Sequence, residues 1–135
     1  MKREKPLILV VDDEAHILHV ISLKLANAGC EVITAEDGEA GLALAVDRCP
    51  DLVITDYQMP FLTGLELAEQ LKRHERTRDT PVLVLTAHGC RPNDESESGT
   101  NIVGVLTKPF SAREILAKVR DLVGPRPGMV TDGMT

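Results

Sequence analysis

Four short aliphatic runs in this chain each lead into a charged or hydroxyl-bearing residue, and this arrangement constrains the fold more than any other feature. Continuous runs of Val, Ile and Leu are typical of strands buried on both faces of a parallel sheet. Ligands in such sheets bind beyond the carboxyl ends of the strands. We therefore expect the polar residues to gather at one edge. They are Asp12 and Asp13 after Leu7–Val11, Asp56 after Leu52–Thr55, Thr86 after Val82–Leu85, and Lys108 after Ile102–Thr107.

The chemistry of these side chains indicates a phosphoryl-accepting site that depends on a metal ion. Three carboxylates held close together repel one another unless a cation joins them, and hard oxygen ligands favour Mg²⁺. A metal-held Asp beside a Lys and a Thr has the groups needed to accept a phosphoryl group. Each residue alone has a more ordinary explanation, such as a helix cap for Asp12 and Asp13. However, a separate ordinary explanation would then be needed at four strand ends along the same edge of the sheet. A single shared site explains all four.

Strand-like and helix-like segments alternate along the chain with short connections. This five-fold β/α alternation predicts a doubly wound parallel sheet. Capping-box spacings begin the helices at Thr63 and Ser111, Asp37-Gly38 opens another, and Gly29 ends the first. The predicted strands are 6–11, 30–35, 51–55, 81–85 and 102–106, and the predicted helices are 14–28, 37–49, 63–74 and 111–123.

Two segments depart from the alternation. Arg91–Thr100 contains a proline, a glycine and three acids but no large apolar residue, so the fourth helix expected there is atypical or missing. Residues 124–135 begin with Gly-Pro-Arg-Pro-Gly, which predicts a flexible tail or the stump of a linker. We therefore expect one folded domain over residues 1–123.

Composition narrows the partners and the compartment. The net charge of −6 argues against unaided binding to nucleic acid, whose phosphates require a basic surface. The three cysteines have no C-x-x-C spacing, which favours free thiols in a reducing cytosol. The apolar stretch near the N-terminus ends at Asp12, too early for a signal peptide or a membrane span. We expect a cytoplasmic protein.

The motifs together resemble the response-regulator receiver domain of two-component signalling, over about residues 5 to 123. The likeness depends on several short motifs that occur in the same order and at the corresponding strand ends. They are Asp12-Asp13, Asp56, Met59-Pro60, Gly64, Thr86-Ala87 and Lys108-Pro109-Phe110. The resemblance implies a flavodoxin-like sheet of order 2-1-3-4-5, a cis Lys108–Pro109 peptide bond, and a phosphorylated signalling domain in place of a turnover enzyme.

The resemblance also implies a role for each site residue. Asp56 accepts the phosphoryl group from a phosphohistidine on a histidine kinase or a histidine phosphotransfer protein. Lys108, Thr86 and the backbone N–H of Ala87 contact the phosphoryl oxygens. Self-catalysed phosphorylation and dephosphorylation at Asp56 are compatible with this chemistry. The Mg²⁺ ligands implied are Asp13, Asp56, the backbone carbonyl of Gln58 and, through water, Asp12.

Departures from the family and two rival families leave alternatives open. Val105 stands where receivers commonly carry the aromatic ring that moves on phosphorylation. Val105 and the missing fourth helix favour a pseudo-receiver that keeps the fold without switching, whereas the complete set of acids, Thr86 and Lys108 argues against it. A haloacid-dehalogenase-type phosphatase also forms an aspartyl-phosphate, but its D-x-D pattern is not matched by Asp12-Asp13-Glu14. A flavodoxin-like flavin module needs a phosphate loop after the first strand, where this chain has acids.

Overall fold

The computed structural model describes residues 5–86, 101–108 and 111–124. Several sequence predictions fall outside these ranges and are not addressed by the structure. They concern the backbone of Ala87, the segment Arg91–Thr100 with its atypical or missing helix, the Lys108–Pro109 peptide bond, and the tail beyond residue 124.

A five-stranded parallel sheet and four helices make up the regular structure of the described residues. The strand order is β2-β1-β3-β4-β5, as predicted, and every neighbouring pair is parallel. In chain order the elements are β1 (Leu7–Val11), α1 (Ala15–Asn27), β2 (Glu31–Ala35), α2 (Gly38–Arg48), β3 (Leu52–Asp56), α3 (Gly64–Arg73), β4 (Val82–Thr86), β5 (Ile102–Thr107) and α4 (Ala112–Val123). The element boundaries agree with the sequence prediction to within one or two residues.

The central strands β1, β3 and β4 are buried along their whole length because helices cover both faces of the sheet. Residues that alternate along β1 belong to two separate hydrophobic clusters. Ile8 and Val10 pack in the cluster that includes residues of α1 and α4. Leu9 and Val11 pack in the cluster that includes residues of α3. This two-sided burial is the reason that the strands are aliphatic up to their carboxyl ends and do not alternate with polar residues.

Side-chain oxygens that accept hydrogen bonds from backbone N–H groups fix the start of three helices. Thr63 and Ser111 each form a complete capping box with the glutamate three residues later, and Asp37 accepts a hydrogen bond from the N–H of Ala40. The first helix differs, because the side chain of its N-cap residue Glu14 makes no capping hydrogen bond. The carboxylate of Asp12 instead accepts the N–H of Glu14 at 2.9 Å. The side chain of Glu14 is therefore not used in capping.

The loop between β3 and α3 holds the backbone of Asp56 against the start of α3. A Cβ atom on Gly64 would lie 2.6 Å from the carbonyl oxygen of Asp56, so only glycine fits there without a shift. Within the loop, the N–H of Leu62 donates to the carbonyl of Pro60 at 2.8 Å across Phe61, whose φ is 73°. That geometry is a γ-turn of the rare, strained type. Phe61 is 79% exposed.

Within the described ranges, no helix has the length and apolar character needed to cross a membrane.

Candidate functional site

Four carboxylates converge at the carboxyl edge of the sheet. One oxygen from each of Asp12, Asp13, Glu14 and Asp56 lies within 4.8 Å of the corresponding oxygens of the others. Asp12 and Asp56 are buried, while Asp13 and Glu14 are exposed, so the group extends from the core to the surface. This placement follows from the pairing of β1 with β3, which brings the ends of both strands together.

Lys108 adds an ammonium group to this cluster. Its Nζ lies 3.4 Å from Oδ1 of Asp56 and 3.7 Å from Oε1 of Glu14. The backbone N–H of Lys108 donates to the carbonyl oxygen of Thr86 at 2.7 Å, which ties the end of β5 to the end of β4. An open cleft at this edge is lined by Asp13, Glu14, Asp56, Gln58 and Lys108.

Thr86 is the last residue of β4 and is fully buried. Strand β4 lies between β3 and β5, with Leu85 opposite Asp56 and Thr86 opposite Thr107. The N–H of Tyr57 donates to the carbonyl of Leu85 at 2.7 Å, which extends the β3–β4 pairing beyond Asp56. Thr86 therefore lies at the same edge of the sheet as Asp56 and Lys108.

Burial and mutual repulsion disfavour the negative charges of this site. Burial raises the pKa of Asp12 from its ordinary 3.8 to about 6, although the N–H of Glu14 opposes the shift. Burial likewise raises the pKa of Asp56, and the charge of Lys108 offsets part of that effect. For Lys108, burial alone lowers the pKa, but the carboxylates of Asp56 and Asp12 outweigh it and the pKa is raised.

One buried oxygen tests whether the residues fit a metal ion. Oδ1 of Asp12 accepts the N–H of Glu14, whereas Oδ2 is buried and has no hydrogen-bond partner in the part of the chain that the structure describes. A buried carboxylate oxygen without a partner is costly unless a cation or water satisfies it. The neighbouring donors are carboxylate oxygens, which suit Mg²⁺ better than a thiophilic metal. The residues therefore fit a hard divalent cation.

The structure brings together most of the residues predicted from the sequence and adds one. Asp12, Asp13, Asp56 and Lys108 share the cleft region, and Gln58 lines it. Glu14 was not predicted as a site residue. Two sequence signals were available: its position directly after the acidic pair, and its position at the start of a helix that lacks a Ser, Thr, Asp or Asn cap.

Comparison with known proteins identifies the family. The sequence of this chain matches the protein-family model described as the response regulator receiver domain over residues 8–120. The chain belongs to this family. Receiver domains of two-component signalling are phosphorylated modules and not conventional enzymes, and the acidic pocket of this receiver is consistent with a phosphoacceptor site.

Curated relatives of this receiver include longer transcriptional regulators. The phosphate regulon transcriptional regulatory protein PhoB of Pseudomonas aeruginosa is 42% identical over 113 residues, which cover 84% of this chain and 49% of that protein. The DNA-binding dual master transcriptional regulator RpaA of Synechocystis is 42% identical over 118 residues, which cover 87% of this chain and 49% of that protein. The chain thus spans about half the length of these relatives.

Solved structures show the same fold. The chemotaxis response regulator CheY4 of Vibrio cholerae superposes with a TM-score of 0.80 at 31% identity, covering 87% of this chain and 98% of that chain. The receiver domain of a sensor histidine kinase of Pseudomonas aeruginosa superposes with a TM-score of 0.80 at 25% identity, covering 90% and 99%. That domain was solved with a magnesium ion coordinated in its active site cleft.

Proposed function

We propose that Asp56 accepts a phosphoryl group from the phosphohistidine of a histidine kinase or a histidine phosphotransfer protein, in a Mg²⁺-dependent reaction. The chain then acts as a switch or relay in two-component signalling. The observation that supports this most directly is the 3.4 Å pair between Lys108 Nζ and Asp56 Oδ1 within the acidic cluster. It places a carboxylate nucleophile beside a cation that can neutralise an incoming phosphoryl oxygen.

Each residue has a distinct part in this proposal. An oxygen of the ionised Asp56 carboxylate attacks phosphorus while the bond to the donor nitrogen breaks. Lys108 pairs with one phosphoryl oxygen, the Thr86 hydroxyl donates to another, and the N–H of Ala87 supplies a further donor. Positioning and charge neutralisation account for most of the catalysis in such reactions, so this small set is sufficient. The same groups support slow self-catalysed loss of the phosphoryl group.

Asp12, Asp13, Asp56 and the backbone carbonyl of Gln58 are the proposed ligands of Mg²⁺. When bound, Mg²⁺ neutralises negative charge on the site and on the phosphoryl oxygens. The unpartnered Oδ2 of Asp12 supports this assignment, since a bound cation or its water satisfies that atom. The acidic residues otherwise repel both each other and the phosphoryl donor.

The remaining assignments concern the setting of this receiver. We propose that residues 1–123 form the receiver and that residues 124–135 form a Pro/Gly-rich tail or linker stump. Because the chain carries a net charge of −6, we propose that it does not contact nucleic acid directly. Its partners are then the cytoplasmic phosphohistidine protein and a downstream target that reads the phosphorylated state.

Intact mass spectrometry after treatment with acetyl phosphate and Mg²⁺ tests the proposal. The wild-type chain is expected to gain the mass of one phosphoryl group, and Asp56→Asn is expected to gain none while keeping its fold by circular dichroism. Full labelling of Asp56→Asn at another carboxylate contradicts the assignment of Asp56. A wild-type chain that takes up no phosphoryl group from acetyl phosphate or from a phosphorylated kinase is instead a pseudo-receiver.

A further inference from the structure

Glu14 contributes a fourth carboxylate to the cluster, and none of the roles proposed above uses it. Its Oε1 lies 3.7 Å from Lys108 Nζ, and its side chain lines the cleft and is 60% exposed. Its side chain makes no helix cap. Glu14 adds a minor part to the raised pKa of Asp12, which comes mainly from burial, and to the raised pKa of Lys108, which comes mainly from Asp56.

Nζ of Lys108 is within ion-pair distance of two carboxylates. Asp56 Oδ1 is 3.4 Å from Nζ, and Glu14 Oε1 is 3.7 Å from the same nitrogen. A phosphoryl group on Asp56 needs that ammonium group as a partner for its own oxygens. Any attraction that holds Lys108 toward Glu14 therefore competes with the arriving phosphoryl group.

The charge balance of the site also disfavours an anionic phosphoryl donor. Among the residues that the structure describes, four carboxylates face one ammonium group, so a divalent cation bound among them leaves one net negative charge on this set. That remaining charge is equal to the contribution of Glu14. A small phosphoryl donor must bring its own negative charges into this cleft. Because the Glu14 side chain is 60% exposed, the donor meets this repulsion during approach as well as when bound.

We propose that Glu14 is the resting counter-ion of Lys108 and a specificity-determining residue that disfavours small, strongly anionic phosphoryl donors. This role depends on the proposed function of Asp56. A protein donor gains contact energy from its docking surface and can overcome the repulsion, whereas a free acyl phosphate has no such compensation. Glu14 thereby protects the receiver from phosphorylation by free acyl phosphates, which would act independently of the kinase.

Phosphorylation kinetics of Glu14→Gln test the selectivity. Acetyl phosphate and phosphoramidate serve as donors with Mg²⁺, because phosphoramidate carries less negative charge at neutral pH. Removing one charge several ångströms from the donor is expected to raise the acetyl phosphate rate roughly three- to tenfold, and the phosphoramidate rate less. Added salt is expected to reduce the gain because the charge is exposed. An unchanged or slower acetyl phosphate rate, or a gain that is equal for both donors, overturns the proposal.

Glu31→Gln is the matched control. Glu31 is an exposed glutamate with a cationic partner, Arg48 at 3.1 Å, at the start of β2 and hence at the opposite edge of the sheet. It changes net charge by the same amount and also breaks one surface ion pair. We expect no change in either phosphorylation rate. An equal rise in this control shows a non-specific effect of net charge and overturns the role of Glu14.

Thermal unfolding without metal or donor tests the ion pair independently of phosphorylation. In a Lys108→Met background, Glu14→Gln only relieves repulsion with the other carboxylates and is expected to raise Tm. With Lys108 present the same change also removes an attraction, so the rise should be smaller by about 1–3 °C. Identical shifts in both backgrounds contradict the pairing. If the wild-type chain accepts no phosphoryl group while the two shifts differ, the proposed function fails and the pairing stands, but the claim of donor selectivity is refuted.

Discussion

The buried carboxylate of Asp12 makes stability without metal depend on pH in an unusual direction. Its pKa is about 6 in the folded protein, against an ordinary value of 3.8. Because the folded state binds this proton more tightly than the unfolded state, protonation stabilises the fold. The destabilisation from Asp12 is therefore absent below about pH 4, grows as pH rises, and is complete above about pH 6.

The magnitude follows from the size of the shift. One pKa unit corresponds to about 1.4 kcal/mol, so the shift of Asp12 amounts to about 3 kcal/mol at neutral pH. Asp12 is completely buried, and solvent screening does not reduce this value greatly. Asp56 acts in the same direction, because burial raises its pKa as well. Bound Mg²⁺ is expected to remove most of the destabilisation by compensating the charges.

Urea unfolding of the wild type and of Asp12→Asn, in EDTA at several pH values, measures the effect. Asn keeps an oxygen that can accept the N–H of Glu14 but carries no charge. Its advantage over the wild type is expected to be about 3 kcal/mol larger at pH 7.5 than below pH 4. Any cost of burying the amide cancels in this comparison. Asp13→Asn is the control, because the same charge change at an exposed position should give a smaller gain. A gain for Asp12→Asn that does not vary with pH refutes the reasoning.

Three further predictions concern the loop after β3 and the helix that follows it. Gly64→Ala is expected to lower the free energy of unfolding in urea by about 2–3 kcal/mol and to slow phosphorylation, because the added Cβ would lie 2.6 Å from the Asp56 carbonyl oxygen. Gly104→Ala should lower it less, because its added Cβ would lie 3.2 Å from a side chain. Phe61→Gly is expected to stabilise the protein by about 1 kcal/mol despite losing an aromatic ring, since a φ of 73° is relaxed for glycine; a loss of stability equal to that of Phe61→Ala contradicts this. Thr63→Ala removes a capping box and should lower the free energy of unfolding by about 1 kcal/mol without changing the extent of phosphorylation.

The sequence predicted those features that depend on local patterns. The two capping boxes were recognised from residue spacing alone, and both are present in the structure. The runs that became β1, β3 and β4 are mostly aliphatic because both faces of each strand are covered; Thr55 of β3 is the one polar residue inside these three strands. Parallel pairing then brings the carboxyl ends of these strands and of β5 to one edge. Asp56 and Lys108 could be placed together for that reason.

Other features depend on tertiary contacts that no local pattern records. Asp12 and Asp13 are adjacent and identical in type, yet Asp12 is completely buried and Asp13 is exposed. The pairing of Glu14 with Lys108 joins residues far apart in sequence. The positive φ of Phe61 has no signal in the sequence, since glycine or asparagine is the residue expected there.

The charges that define this site also connect its stability to its ligands. The rest of the sheet is an aliphatic core that can carry unfavourable carboxylates at one edge, so the fold does not require the site to be electrostatically relaxed. Whatever reduces the excess charge at this edge must then stabilise the folded state, whether it is a proton on Asp12, a divalent cation or the substitution Glu14→Gln. A cation that binds only the folded protein stabilises it in proportion to the logarithm of its concentration. The asymmetry between buried Asp12 and exposed Glu14 assigns these effects to different steps: Asp12 governs how strongly a cation is needed, and Glu14 governs which phosphoryl donor can approach.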